Sequence, residues 1–389
     1  MDTEVDVVIV GARCAGSSLA RLLASSGRRV TVVDRASFPS DRLSTHLLLE
    51  KGVQFLHRWG LLDELLARGV PAVPLTRFTF GDWWVDLQNE TEPGHSPRWT
   101  CAPRRVVLDE LLVEAARDAG ATVLERTRVV DVCRQGDRVT GVHVVGDDGS
   151  TSTIRARVVV GADGLHSTVG KLVGAATTEV SEHTTCQVYG YWRDVDQSHM
   201  ELGLRPGCAF GSFVCDDDLL LVSISRPVGE WRTLWSGGED AYRNTLAEWF
   251  PAAAERVFAG RLVSALRGTN DLPNRLVEAA GPGWALIGDA AMHKDPVTGL
   301  GMSDAFHGAA ILAHELSESL DGPDEMIDAA LGSASLRFRE ATRTTFDIAC
   351  RLASHRFDVM ELPGLVTGLS EAIHAEMVDA AAVDERVAS

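Results

Sequence analysis

Two glycines, an arginine and an acid near the start of the chain set the first chemical question. In "VDVVIVGARCAGSSLARLLASSGRRVTVVDR" an apolar run, Val7 to Val10, leads into the turn Gly11-Ala12-Arg13-Cys14-Ala15-Gly16. A helical pattern follows, then a second apolar run ending in Asp34 and Arg35. Gly11 permits a tight turn and Gly16 permits close helix–strand packing. The amides at the helix start, those of Arg13, Cys14 and Ala15 among them, face a pyrophosphate in such a loop. Asp34, about 20 residues beyond the turn, is the expected acceptor for a ribose hydroxyl. Arg13 stands where G-x-G-x-x-G has its middle glycine. Its side chain holds the main chain slightly further from the phosphates, and its guanidinium has the charge that suits them.

A second stretch, "GDAAMHKDPVTGLG", follows an apolar strand pattern near the far end of the chain. Asp289 can accept hydrogen bonds from several hydroxyls of a polyol. Pro296, Gly299, Leu300, Gly301 and Met302 lead into a helix whose N-terminal amides and partial positive charge stabilise an anion. His293 and Lys294 beside this loop read either as catalytic or as surface residues. In "FPSDRLSTHLL", Arg42, Ser44 and His46 are candidates for lining the face of a cofactor ring, and His46, like His293, is a candidate catalytic group. The alternative is a solvated loop in which Ser44 or Thr45 caps the next helix. There is no Ser/His/Asp triad, paired-carboxylate site or metal-ligand spacing, a pattern expected where a bound cofactor carries the chemistry.

The elements that position these residues follow from periodicity. Val5 to Asp34 reads as β-α-β, with Gly27 ending the helix. A helix is expected near Leu47 to Leu66, short alternating aromatic strands from about Leu75 to Trp99, then helix and strand from Arg105 to Val132. A hairpin and a buried strand end at Gly161-Ala162-Asp163-Gly164. A second strand-rich stretch runs from about Thr185 to Ser225, a helix lies around Tyr242 to Phe258, and the chain ends in helices interrupted at Pro363-Gly364. Two interleaved bodies result. A Rossmann-like α/β body takes 1–72, 101–175 and 266–330, an inserted β-sheet body takes 73–100 and 176–265, and C-terminal helices take 331–389. Seven of the nine tryptophans fall in the inserted stretches, either as sheet core or as the lining of a wide cavity for a large apolar ligand.

With 389 residues and 45% hydrophobic content the chain can bury a large core. A formal charge of −18 opposes nucleic-acid backbones and anionic membranes. Seven scattered cysteines without a C-x-x-C pair imply a reduced, intracellular protein, and no stretch has the roughly 20 apolar residues of a membrane span. The expected location is cytoplasmic; oligomeric state stays open.

Three motifs together carry a resemblance: the Gly11 to Gly16 loop, "GADGLHSTVG" and "GDAAMHKDPVTGLG", joined by R-x-x-L-x-x-x-L at Arg105, Leu108 and Leu112. In this order, over roughly the whole chain, they resemble the FAD-dependent aromatic hydroxylases, flavoprotein monooxygenases of the para-hydroxybenzoate hydroxylase-like fold. The resemblance implies FAD as cofactor. It assigns Asp34 to the adenosine ribose, Val129 to adenine, Arg105 to the ribityl–pyrophosphate region, and Asp289 to the ribityl hydroxyls and pyrophosphate. Gly299 to Met302 fall under the pyrimidine edge. Asp163 resembles the acid linking FAD to transient nicotinamide-cofactor binding, although Gly170-Lys171 stands where that motif usually ends in arginine. The reductant is NADPH or NADH, used directly or through a separate flavin reductase. The implied reaction forms a C4a-hydroperoxyflavin from O₂ and inserts one oxygen atom into a bulky, largely apolar aromatic or alkene small molecule, such as one of specialised metabolism. The alternative is an FAD-dependent reductase or dehydrogenase of the prenyl-reductase type, whose Y-x-W-x-F-P-type stretch is absent where "CAFGSFVCDDDLLLVSIS" stands. A halogenase lacks its W-x-W-x-I-P signature here, and a flavin-binding regulator without turnover is the remaining class.

Overall fold

The computed structural model describes residues 3–41, 43–81, 83–89, 91 and 95–387, so Arg42 lies outside the described residues. In chain order come β1 (Thr3–Val10), α1 (Cys14–Ser25), β2 (Val30–Val33), α2 (Glu50–Arg58), α3 (Leu62–Ala67), β3 (Leu75–Phe80), β4 (Trp83–Gln88), α4 (Arg105–Asp118), β5 (Thr122–Leu124), β6 (Thr127–Gln135), β7 (Arg138–Gly146), β8 (Thr151–Gly161) and α5 (Thr168–Val173). There follow β9 (Thr177–Val180), β10 (Thr185–Arg193), β11 (Met200–Arg205), β12 (Cys208–Val214), β13 (Leu220–Pro227), α6 (Trp231–Ser236), α7 (Gly238–Trp249), α8 (Pro251–Phe258), β14 (Arg261–Leu262) and β15 (Arg267–Thr269). The last are β16 (Arg275–Val277), β17 (Ala280–Gly281), β18 (Trp284–Leu286), β19 (Met292–His293), α9 (Gly301–Ser319), α10 (Asp324–Ala341), α11 (Arg343–Ala353) and α12 (Leu362–Val387).

The first sheet runs β17-β18-β8-β1-β2-β5, with β6 and β7 continuing from β8. β1 pairs in parallel with both β2 and β8, and β18 in parallel with β8. Val7, Val8 and Ile9 are fully buried because both faces are covered. Val7 and Ile9 pack with α1, α4 and α9, whereas Val8 and Val10 pack with the apolar residues of β6, β7 and β8. Val10 pairs with Val33 and with Gly161, and Leu286 pairs with Gly161. Four strands therefore end side by side, and the loops that follow them meet at one edge.

The second sheet runs β14-β10-β13-β12-β11-β3-β4 and is antiparallel apart from β11 with β3. Period-two alternation splits β10. Cys186, Val188 and Trp192 pack on α7 and α8, while Tyr189 and Tyr191 join Met200, Phe213 and Leu221 against Leu47 and Ala102 of the first body and Val73 at the boundary. The C-terminal helices join in where Phe80, Leu204 and Ala209 pack with Leu352, Phe357 and Leu362.

Four local expectations are corrected. The helix over Leu47 to Leu66 is two helices, since the chain turns at Gly60 with φ +71. The N-cap of α2 is Leu49, without a side-chain cap, not Ser44 or Thr45. The stretch Tyr242 to Phe258 breaks at Phe250, with Pro251 opening α8. Pro363 sits in the first turn of α12, where its missing N–H costs nothing, and the interruption falls earlier, between Ala353 and Leu362. The tryptophans, in turn, are divided among separate packing sites. Trp192 is buried beside Tyr242 and Phe258 on the far face of the second sheet, and Trp231 stacks on Trp235 among the covering helices. Trp83, opposite Phe80, is 43% exposed at the edge strand. No helix among the described residues is long and apolar enough to cross a membrane.

Candidate functional site

The loops after β1, β2, β8 and β18 are bonded to one another. Gly11 N donates to Val33 O at 2.8 Å, Ala162 N to Val10 O at 2.7 Å, and Ile287 N to Gly161 O at 2.9 Å. A Cβ placed on Gly288 would lie 3.0 Å from Ala15 Cβ, so the loop carrying Asp289 touches the start of α1. On Gly16 the same addition would sit 1.7 Å from Gly11 O, so only glycine lets α1 begin there. α1 has no side-chain cap and no acid in its first turn, which leaves its leading amides for an anion.

Arg13 turns away from that cradle. Its Nη1 lies 2.5 Å from Asp109 Oδ2, its Nη2 donates to Ser40 Oγ at 2.9 Å, and the guanidinium rests over Phe38. Arg105 donates to the other oxygen of the same carboxylate, from Nε at 3.0 Å and Nη2 at 2.8 Å. Cys14 Sγ stands 3.6 Å from it. Asp109 is fully buried between two arginines, so the cluster carries one net positive charge beside the amides of α1. Burial works against the Arg105 charge, but Asp109 overrides it and, with Asp289 nearby, holds the guanidinium charged. Burial pushes the Cys14 thiol up to about 12, so it offers no thiolate.

Asp34 is 9% exposed and accepts from Ala12 N at 2.7 Å and Ala36 N at 2.8 Å, tying the glycine turn to the end of β2. Arg35 is exposed beside it. Thr127 N donates to Asp34 O at 2.9 Å, which brings Val129 of β6 to the same end of the site. Asp163 faces the other way chemically: it accepts from Ser167 Oγ at 2.5 Å and from Thr168 N at 2.6 Å, capping α5.

In the far loop Asp289 is exposed, while Asp295 is buried and fixes the turn. Asp295 accepts from Val297 N at 2.9 Å and from Thr185 Oγ1 of β10 at 2.5 Å, and burial raises its pKa. His293 donates from Nδ1 to Pro273 O at 2.5 Å, a structural bond on the three-stranded sheet β19-β16-β9. Lys294 is buried in a ring of charges. It lies 2.7 Å from Asp304 Oδ2 and donates to Thr345 Oγ1 at 2.7 Å. Lys51 pairs with Asp304 at 3.0 Å and with Glu376, and Thr345 Oγ1 lies 2.6 Å from Glu376 Oε1. This ring joins the loop and α9 to α2, α11 and α12.

Of the trio after β2, Ser44 accepts from His46 N at 3.1 Å, and His46 is fully buried with Nε2 2.5 Å from Tyr191 Oη. Leu47 packs on Gly299, where a Cβ would lie 2.8 Å from Leu47 Cδ2. His46 and Leu47 thus join the far loop to the second sheet. Sequence reasoning missed Asp109, Tyr189, Tyr191 and Asp295. The i, i+4 spacing from Arg105 signals Asp109, and the alternation in "YGYW" puts both tyrosines on one face.

An anion cradle at α1, a guanidinium beside it, an acid at the end of β2 and an exposed acid in the far loop fit the diphosphate, ribose and polyol of FAD. The FAD binding domain family matches residues 4–207, more than half of the chain. The chain belongs to that family. It is an FAD-dependent oxidoreductase of the class that includes the flavoprotein monooxygenases. Menaquinone reductase of Mycolicibacterium smegmatis is 30% identical over 310 residues, 78% of this chain and 74% of that protein. The 6-methylpretetramide 4-monooxygenase of Streptomyces rimosus is 28% identical over 345 residues, 84% of this chain and 59% of that protein. Among solved structures, pqsL of Pseudomonas aeruginosa, a probable FAD-dependent monooxygenase, matches with a TM-score of 0.79 at 22% identity, covering 94% of this chain and 100% of that one. At that identity the likeness shows the fold.

Proposed function

We propose that this flavoenzyme is a monooxygenase that transfers one atom of O₂ to a bulky, largely apolar aromatic or alkene small molecule, with NADPH or NADH as reductant. Bound FAD supplies the activation of O₂. The protein's part is to hold the cofactor, orient the substrate and keep water away. The amides of Cys14 and Ala15 at the start of α1 are assigned to the pyrophosphate, with Arg105 countering its charge. Asp34 takes the ribose, Val129 the adenine side, Asp289 the ribityl hydroxyls, and Gly299 to Met302 the pyrimidine edge. Arg13 acts through Asp109 rather than on the phosphates. The capping bonds of Asp163 argue that it shapes the turn after β8 and touches the nicotinamide cofactor indirectly.

The observation that carries this reading is the closure of the second sheet over the far loop: Tyr189, Tyr191, Phe213 and Leu221 pack against Leu47, which packs on Gly299. Such an aromatic, water-poor face suits oxygen transfer to an apolar substrate. A second reading, reduction of a carbon–carbon double bond, is favoured by the 30% identity to a menaquinone reductase. Labelling with ¹⁸O₂ separates the two, because only oxygen transfer puts label into the product.

A further inference from the structure

Beside the loop assigned to the pyrimidine edge lies a ring of buried charges. Lys294 and Asp304 stand at the two ends of the segment Asp295 to Ser303 and pair at 2.7 Å, so that the segment closes into a clasped loop. Lys51 of α2 binds the other Asp304 oxygen at 3.0 Å and also Glu376 of α12. Thr345 of α11 completes the circle, accepting from Lys294 at 2.7 Å and donating to Glu376 Oε1 at 2.6 Å. The side chains of Lys51, Lys294 and Glu376 are 0%, 1% and 1% exposed. Burying four charges is seldom more stable than burying apolar groups of the same size, so packing alone does not account for them.

Their position does. Asp304 lies in the first turn of α9, the end whose amides are assigned to the pyrimidine edge. An acid there cancels the partial positive charge of the helix start and repels an electron-rich cofactor. Lys294 and Lys51 cover both of its oxygens: burial works against the Asp304 charge, and the two lysines override it. Burial likewise opposes the Lys51 charge, but Asp304 and Glu376 outweigh it. Two lysines and two acids then sum to zero. His307, one turn further along α9, adds nothing to the sum, since burial keeps its pKa below the ordinary value, and its neighbour Asp379 is paired with Arg337 at 2.8 Å. Asp295, the buried acid inside the loop, bonds Thr185 of β10 and lies outside the ring.

We propose that this ring sets the reduction potential of bound FAD: Lys294 and Asp304 clasp the loop under the pyrimidine edge, and Glu376, reaching in from the C-terminal helix, cancels the surplus positive charge of the two lysines. All four are positioning residues, acting through the loop and through their summed charge. The inference rests on the placement of Gly299 to Met302 at the pyrimidine edge, and it holds for oxygen transfer and for double-bond reduction alike.

The test is the potential of the FAD-loaded protein, measured without oxygen or substrate against a reference dye at about pH 8, where carboxylates are ionised. Reduction adds negative charge at the pyrimidine edge, so a positive surplus in the ring raises the potential and a negative surplus lowers it. Glu376→Gln should raise it and Lys51→Met should lower it. Each shift should be about tenfold in the reduction equilibrium, the scale of a unit charge about 10 Å away at an effective dielectric constant of about 20, or about 30 mV for a two-electron couple. The two substitutions together should bring it back to within about twofold of the starting value. A role in folding alone does not give shifts of opposite sign. Shifts of one sign, inverted shifts, or none with FAD retained overturn the proposal. If Glu376→Gln does not retain FAD, Asp379→Asn, on the same helix and 30% exposed, should raise the potential by about twofold, and the absence of a rise overturns the proposal there. The absorption spectrum of Gly301→Ala separates a failed ring from a failed loop placement. A Cβ on Gly301 meets nothing within 4 Å, so it disturbs the flavin spectrum only where the loop lies against the isoalloxazine. An unchanged spectrum removes the placement on which the proposal rests.

Discussion

Arg13 and Asp109, 96 positions apart, form an ion pair at 2.5 Å that removes Arg13 from the phosphate loop in which it stands. The arginine that breaks the glycine pattern is thereby explained: its charge is spent on a buried acid that Arg105 also engages. Arg13→Gly should accordingly keep FAD while lowering stability by about 1 to 3 kcal/mol, the cost of leaving a buried carboxylate one partner short. Gly16→Val should lose FAD or fail to fold, since its Cβ would overlap Gly11 O. FAD content after dialysis and a urea melt measure both. Loss of FAD from Arg13→Gly with unchanged stability would mark Arg13 as a phosphate ligand after all.

Asp34→Ala removes the acceptor of the Ala12 and Ala36 amides as well as the expected ribose contact. FAD affinity, followed by flavin fluorescence, should fall by about 1 to 3 kcal/mol. Unchanged affinity would mean that the acid only ties the turn to β2.

The ring of Lys51, Asp304, Lys294, Thr345 and Glu376 predicts a sharp asymmetry. Glu376→Ala leaves the buried ring one negative charge short, with Lys51 keeping only Asp304, a change that costs at most about 3 to 5 kcal/mol. Lys51→Met with Glu376→Leu, which removes both charges, should recover much of it. Chemical denaturation of the three proteins decides, and equal stability of single and double variants would contradict a closed ring.

His46 also predicts a pH dependence. Its folded pKa lies near 3, below the ordinary value of 6.5, so between these values the unfolded chain binds a proton that the folded one does not. Stability should therefore be fully present above about pH 6.5 and fall as the pH drops toward 3, by a few kcal/mol in all for this group. In His46→Gln the slope of the urea midpoint against pH should be shallower by about one proton across that window. An unchanged slope would show that His46 is protonated in the folded protein.

What the sequence disclosed and what it hid divide along physical lines. The strand, turn and helix around Gly11 and Asp34 are set by local periodicity and glycine geometry, so they are legible within thirty residues. The same holds for the far loop at Asp289. Pairings across the chain are not written in any local period: Asp109 reads as one more helix acid, and Glu376 as solvated charge on a terminal helix, until the fold brings Arg13 and Lys51 against them. The two readings of the tryptophans, sheet core or cavity lining, could not be separated in the sequence because alternation in a strand fixes which residues share a face, but not which face meets the cofactor. His46 was visible as a residue type, and its partner Tyr191 lies 145 positions away.

Oxygen transfer is tested most directly by turnover under ¹⁸O₂ with NADPH or NADH and a bulky, largely apolar aromatic or alkene acceptor, followed by mass spectrometry of the product. The account predicts one labelled oxygen atom per product molecule, with hydrogen peroxide formed in the absence of acceptor and suppressed in its presence. A product that has gained two hydrogens, or lost them, and carries no label would contradict it and leave the double-bond reductase reading in its place.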